Sequence, residues 1–243
     1  MLYMKTRRNG RYVAVISAFA LVAALGVAGA FPAAAVIDTP TSCPDEIDSA
    51  GFTDLAGLSS AARDAIDCLA EYGITQGATA TTFAPWDDVP RWQMALFLAR
   101  QADIHEIDMP SGSSVGFVDI DDLDAAAQRA INQLERLGIA EGTTATTFSP
   151  YEFVTRWQMA LFLTRLLEEA GVNLPSGADQ DLFDVQVLPS STERAVNQLI
   201  QLDISEGTSS TTFSPDEFVE RWEMALFLTR TLEADDIEPP EGS

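Results

Sequence analysis

One ten-residue stretch occurs three times along the chain: RWQMALFLAR at 91–100, RWQMALFLTR at 156–165 and RWEMALFLTR at 221–230. Eight of the ten positions are identical in all three copies, so the copies belong to one repeated unit. Apolar residues cover almost the whole circumference of the helix that each stretch would form, which indicates a helix buried on most sides. We therefore expect the three helices to pack on one another, with other elements outside.

The repeat extends outward from this stretch at a constant spacing of 65 residues, without insertion or deletion from Asp54 to Arg230. A first helix precedes each stretch, because apolar residues recur at helical spacing between residues 60 and 72. Capping-box signatures, Ser190 with Glu193 and Thr155 with Gln158, indicate helix starts. Glycine, threonine and proline residues fill the segment between the helices and predict a long loop. The fold class predicted is all-α, with three tandem helix-loop-helix repeats.

Four short motifs give the repeat a family resemblance. They are Phe-x-Asp at 52–54 and 117–119, a Gly-Ile ending of the first helix, a Gly…Phe-x-Pro loop, and Thr-Arg-x-Gln at 155–158. The unit resembles the S-layer homology (SLH) domain over about residues 51 to 232. The resemblance implies three repeats at 51–110, 111–175 and 176–235, folded into one pseudo-threefold bundle. It also implies grooves between neighbouring repeats that hold a secondary cell-wall polysaccharide, an acidic glycan.

The resemblance implies that the motif arginine grips the polymer, and this role carries over most firmly to Arg156. Around the arginines the chain departs from the family: tryptophan follows each of them where alanine is usual, and only Glu223 keeps the family's glutamate. In the third repeat, Phe183 is displaced by one residue. The candidate ligand-binding residues are the motif arginines, the repeated aspartates, the loop glycines and the tryptophans: Arg91, Arg156, Arg221, Asp54, Asp119, Asp184, Gly77, Gly142, Gly207, Trp92, Trp157 and Trp222.

Each candidate also has a purely structural interpretation. An arginine at a helix N-terminus suits a carboxylate ligand, because the helix end carries partial positive charge. The alternative is a structural ion pair with the repeated aspartates, and for the tryptophans it is burial in the core. Arg165 follows Arg156 by nine residues and faces the opposite side of its helix, so it is predicted to have no site role.

Composition excludes several classes of function. Fourteen basic and 37 acidic side chains give a net charge of −23, which opposes binding to nucleic acid. Two cysteines and one histidine leave little material for a zinc site or a catalytic triad. The acidic cluster at Asp121, Asp122 and Asp124 lacks the glycine and spacing of a calcium loop and is interpreted as a solvated turn. We predict no catalytic residue, no cofactor and no metal.

The N-terminus has the pattern of an export signal. Basic residues precede an apolar run at 12–31, and small residues follow, which predicts a signal peptide at 1–35. A retained membrane anchor is the alternative; after cleavage no contact with the membrane is expected. Export permits disulfides, and we predict one between Cys43 and Cys68, because the later repeats have Gln133 and Gln198 in place of Cys68. Two free thiols are the alternative. The remaining segments are an N-terminal stretch at 36–50 and an acidic tail at 236–243.

Together these features predict a secreted protein of the bacterial cell wall or cell surface. It would attach noncovalently to the acidic cell-wall polysaccharide through the grooves between its repeats. An envelope protein–protein scaffold, or an S-layer-associated assembly module that binds a protein partner and no glycan, is the alternative. A glycosidase using two of the many carboxylates is a third possibility, although no carboxylate pair has a distinctive setting.

Overall fold

Six helices form in the part of the chain that the structure describes, and each repeat contributes a shorter first helix and a longer second helix. The structure is a computed structural model that describes residues 42–43 and 47–239. The helices are α1 Ser60–Glu71, α2 Arg91–Ile104, α3 Ala125–Arg136, α4 Arg156–Ala170, α5 Ser190–Gln201 and α6 Arg221–Ala234. These residues contain no strand, which confirms the all-α class. The predicted signal peptide, 1–35, lies outside the described residues.

Side chains at the helix starts explain where several helices begin. Asp124, part of the acidic cluster, accepts the backbone N–H groups of Ala126 and Ala127 and caps α3. The capping box predicted for α4 is present, and the side chain of Gln158 accepts the N–H of Thr155 at 3.2 Å. The box predicted at Ser190 is wrong, because Pro189 holds the cap position and Ser190 is already helical.

The helices pair between repeats and not within them. The first helix of each repeat packs along the second helix of the repeat before it: α3 on α2, α5 on α4 and, closing the circle, α1 on α6. Among the second helices, α2 and α4 touch one another to a smaller extent. The expectation that the second helices pack chiefly on each other is therefore wrong, because the first helix of the next repeat covers much of their apolar surface.

A ring of three backbone hydrogen bonds closes the bundle. The N–H of Val89 donates to the carbonyl of Val219, that of Val219 to Val154, and that of Val154 to Val89, at 2.9–3.0 Å. One valine from each repeat thus binds the other two, and all three are fully buried. This arrangement confirms the predicted pseudo-threefold bundle.

Additional side-chain contacts stabilise the seam between the third and first repeats. The side chain of Gln101 donates to the carbonyl of Leu228 at 2.9 Å. His105, to which the sequence assigned no role, is buried and lies 2.8 Å from a carboxylate oxygen of Asp235. Next to this seam, the predicted disulfide between Cys43 and Cys68 is present. It ties the N-terminal segment to α1, which packs on α6.

Candidate functional site

The three motif arginines reach across into the next repeat. The Nε of Arg91 donates to the carbonyl of Phe148, and the guanidinium lies 4.5 Å from the centre of that ring. Arg156 and Arg221 make the same two contacts with Phe213 and Phe83. Each arginine is only 3–5% exposed, and burial lowers the pKa of all three, with nearby carboxylates opposing the shift. All three arginines therefore hold neighbouring repeats together.

The repeated aspartates stabilise the loop that receives the arginine. The carboxylate of Asp54 accepts the backbone N–H groups of Phe83 and Ala84 at 2.8 Å. Asp119 and Asp184 bind the equivalent residues of their own repeats. Burial opposes ionisation of Asp54, but the two N–H groups and the charge of Arg221 outweigh it, and its pKa lies below its ordinary value of 3.8.

The alternative ion pair between motif arginines and repeated aspartates is not formed among the described residues. The two side chains meet instead at the same loop residue. In the first repeat, Phe83 offers its carbonyl to Arg221 and its N–H to Asp54. Arginine and aspartate thus fix one loop from two sides.

The loop glycines are required because their surroundings leave no room for a side chain. A Cβ at Gly77 would lie 2.6 Å from the carbonyl oxygen of Thr79 and would also collide with the ring of Phe52. Gly142 and Gly207 meet equivalent carbonyls. In the third repeat, Leu182 is buried where the other repeats have phenylalanine, and the displaced Phe183 is 62% exposed.

The arginines differ in the partner of the side-chain atom Nη1. In Arg91 this atom makes no hydrogen bond among the described residues. In Arg221 it donates to the amide oxygen of Gln93 at 2.7 Å. In Arg156 it lies 2.8 Å from the carboxylate of Glu223. Burial raises the pKa of Glu223 above its ordinary value of 4.5, although Arg156 acts in the opposite direction.

A cleft of about 300 Å³ opens at Arg91, between the first and second repeats. We call it the Arg91 cleft; its lining is Arg91, Glu141, Gly142, Thr143, Trp157, Gln158, Leu161, Phe162 and Arg165. Trp157 is half-buried, and Arg165 pairs with the exposed carboxylate of Glu141 at 3.1 Å. Arg165, for which the sequence predicts no site role, faces away from Arg156 but lines this cleft together with Arg91 of the preceding repeat.

A second cavity, of about 480 Å³, lies where all three repeats meet. We call it the Trp86 pocket; its lining is Ala78, Ala84, Trp86, Asp87, Asp88, Pro90, Gln93, Phe153 and Arg221. Trp222 is half-buried and lies edge-on to Trp86, with 6.2 Å between the ring centres. Trp92 is half-buried and packs against the core.

Sequence reasoning missed Arg165, Trp86 and Phe153. A tryptophan and a phenylalanine at loop positions, outside any apolar helix stripe, were the available signal for the latter two. Arg165 could be recognised only with the knowledge that clefts form between repeats, because Arg91, which shares its cleft, belongs to the preceding repeat. None of the described helices is long and apolar enough to cross a membrane.

Comparison with known proteins gives two kinds of match. The family model for the S-layer homology domain matches the chain three times, at 51–95, 116–160 and 187–225. An endoglucanase of Bacillus sp. (strain KSM-635) is 28% identical over 166 residues, covering 68% of this chain and 17% of the endoglucanase. A surface-layer 125 kDa protein of Lysinibacillus sphaericus is 26% identical over 192 residues, covering 79% of this chain and 16% of that protein. The chain spans about a sixth of the length of these relatives.

Proposed function

Because the chain belongs to the S-layer homology domain family, we propose that it binds an acidic cell-wall polysaccharide noncovalently in the clefts between its repeats. The protein has a cell-surface location and a wall-anchoring role. What we propose is that the polysaccharide is the ligand and that the residues named below contact it. A single observation carries it: within the described part of the chain, Nη1 of Arg91 has no hydrogen-bond partner at the Arg91 cleft.

The charge of the Arg91 cleft suits a carboxylate-bearing sugar. Arg91 and Arg165 contribute two positive charges, and Glu141 contributes one negative charge that Arg165 already pairs. Among the lining side chains the positive charges outnumber the negative ones by one, while the carboxylates of Glu152, Asp119 and Glu135 also act on Arg91 from outside the lining. A guanidinium with a free N–H binds a carboxylate through a charge-assisted hydrogen bond.

The shape of the cleft suits a sugar ring. Its volume lies at the lower end of the range for small-molecule sites. Trp157 offers the face of a half-buried indole, which packs well against the apolar face of a pyranose. In this proposal Arg91, Arg165 and Trp157 contact the polymer, while Asp119 and Gly142 position the loop that forms one wall.

The other two clefts contribute less to acidic-sugar binding in this proposal. Glu223 already occupies Nη1 of Arg156, so an incoming carboxylate would have to displace it. Gln93 occupies Nη1 of Arg221, and Asp87 and Asp88 lie beside it. We therefore assign the acidic sugar to the Arg91 cleft, although the family motif is best preserved around Arg156.

Sedimentation with protease-treated wall sacculi of the producing bacterium tests this function. Arg165→Gln should weaken binding about tenfold, because it removes one charged contact from the cleft. Arg100→Gln, the same position in the first repeat, lies outside the Arg91 cleft and should bind like the wild type. Circular dichroism should be unchanged for both variants.

Two outcomes would contradict the proposal. If the wild type fails to sediment with protease-treated sacculi but sediments with untreated ones, the partner is a wall protein. If Arg165→Gln and Arg100→Gln bind alike, the Arg91 cleft is not the site.

A further inference from the structure

The Trp86 pocket is built from all three repeats. Trp86 and Gln93 come from the first repeat, Phe153 from the second and Arg221 from the third. Its volume of about 480 Å³ exceeds that of the Arg91 cleft and is typical of small-molecule sites. A cavity of this kind exists only when the ring of repeats is closed, so it is a property of the whole fold.

Two large aromatic side chains line this pocket and remain exposed to solvent. Trp86 is 52% exposed and Phe153 is 44% exposed. Most other phenylalanines in the described repeats are buried in the core. Trp86 packs edge-on against Trp222 and Phe153 packs against Phe218, so a ligand would meet only the part of each ring that stays exposed beside the cavity.

The polar groups of the pocket are arranged for hydroxyl groups. The carboxylates of Asp87 and Asp88 make no hydrogen bond or ion pair among the described residues, so both can accept hydroxyl donors. The amide of Gln93 gives its oxygen to Arg221 and keeps its NH₂ group as a donor. The Nη2 of Arg221 is buried without a partner, whereas Nη2 of Arg91 and of Arg156 donates to a loop carbonyl.

The charge of the pocket is opposite in sign to that of the Arg91 cleft. Two carboxylates face one guanidinium whose Nε and Nη1 are already bonded. An acidic sugar would meet net repulsion here, while an uncharged ring would not. This combination occurs once in the chain, because the equivalents of 86–88 are Tyr151-Glu152-Phe153 and Asp216-Glu217-Phe218.

We propose that the Trp86 pocket binds an uncharged pyranose of the wall polysaccharide. The ring stacks on Trp86 beside Phe153, and its hydroxyl groups donate to Asp87 and Asp88 and accept from Gln93. This inference rests on the proposed function, since it takes the ligand from the same polymer. It adds a second site of different chemistry to the acidic-sugar site at Arg91.

Sacculi with neutralised carboxylates test the proposal. Protease-treated sacculi are compared before and after their carboxyl groups are converted to amides with a carbodiimide and a neutral amine. The wild type should still sediment with amidated sacculi, and Trp86→Ala should reduce that binding at least tenfold. Tyr151→Ala is the matched control, because Tyr151 occupies the equivalent position, is 57% exposed and does not line the pocket. Asp88→Asn should also reduce binding to amidated sacculi, without removing an aromatic ring.

The outcomes separate this proposal from the proposed function. Binding of the wild type to untreated but not to amidated sacculi would overturn the Trp86 pocket and keep the Arg91 cleft. Equal binding of Trp86→Ala and Tyr151→Ala to amidated sacculi would also overturn it. Absence of binding to both kinds of protease-treated sacculi would instead refute the proposed function.

Discussion

Arg91 and Arg156 begin the same eight-residue stretch, RWQMALFL, and yet their surroundings differ. Both arginines donate Nε and Nη2 to loop carbonyls of the next repeat. They differ at Nη1, which has no hydrogen-bond partner among the described residues in Arg91 and is bound to Glu223 in Arg156. The following repeat supplies Gln158 beside Arg91 and the charged Glu223 beside Arg156, while Gln93 at the same position binds Nη1 of Arg221. A motif residue in a closed repeat protein is therefore interpreted correctly only together with the neighbour that faces it.

The largest expected effect concerns the contacts that Arg91 and Arg156 share. Arg91→Ala should lower the free energy of unfolding by about 3 kcal/mol, because one buried and one partly buried carbonyl lose their donor and the cation–π contact is lost. Arg156→Ala should cost more still at neutral pH, since it also leaves the carboxylate of Glu223 without its partner. Urea denaturation measures both.

Arg165→Ala is the control for these stability measurements. Its guanidinium is partly exposed and pairs with an exposed carboxylate, so its loss should cost less than about 1 kcal/mol. A value for Arg91→Ala as small as that of the control would show that the motif arginine does not hold the repeats together.

Exchanging glutamine and glutamate at Gln158 and Glu223, the residues that face Arg91 and Arg156, tests what distinguishes the surroundings of the two arginines. Gln158→Glu should close the Arg91 cleft and reduce wall binding about tenfold, since a carboxylate can then take Nη1 of Arg91. Glu223→Gln should raise wall binding several-fold, because an uncharged amide at this position, as Gln93 provides to Arg221, competes less with an incoming carboxylate for Arg156. Sedimentation with protease-treated sacculi measures both, and changes in the same direction would contradict the comparison.

The smallest expected effect is a pH dependence from Glu223. Because its folded pKa is raised, this group contributes stability that is present below pH 4.5 and is lost as the pH rises through the folded pKa. The wild type should therefore gain stability relative to Glu223→Gln when the pH falls from 7 to 4.5. Denaturation at both pH values measures this difference. The effect of net charge on stability is largely the same in the wild type and the variant, so it cancels in the comparison. A constant difference would contradict the raised pKa.

The sequence predicted the elements well, because the determining information is local. The starts of α2, α4 and α6 follow from the repeated arginine and the apolar stretch behind it. The disulfide followed from Cys68 being the one cysteine within the repeats, where its equivalents are Gln133 and Gln198. The three copies in one chain also fixed the repeat spacing without any other sequence.

The partners of each element were harder to predict, because the contacts that matter join residues of different repeats. The apolar circumference of α4 indicates that the helix is buried, but it does not say that α5 of the next repeat covers it. The same limit explains Arg165: its direction relative to Arg156 was correct, and its position opposite Arg91 depended on the closure of the ring. Burial of the motif arginines was also unexpected from a residue type that is mostly exposed.

The valine ring also determines how many units the architecture holds. In an open solenoid each unit contacts only its two neighbours, so units can be added at the ends and the terminal ones need polar caps. Here each of Val89, Val154 and Val219 both gives and receives one bond, and the circuit is complete after three steps. A fourth unit would have to break an existing bond to enter. Evolution can therefore diversify the clefts by changing single residues, but it cannot lengthen this array by simple duplication.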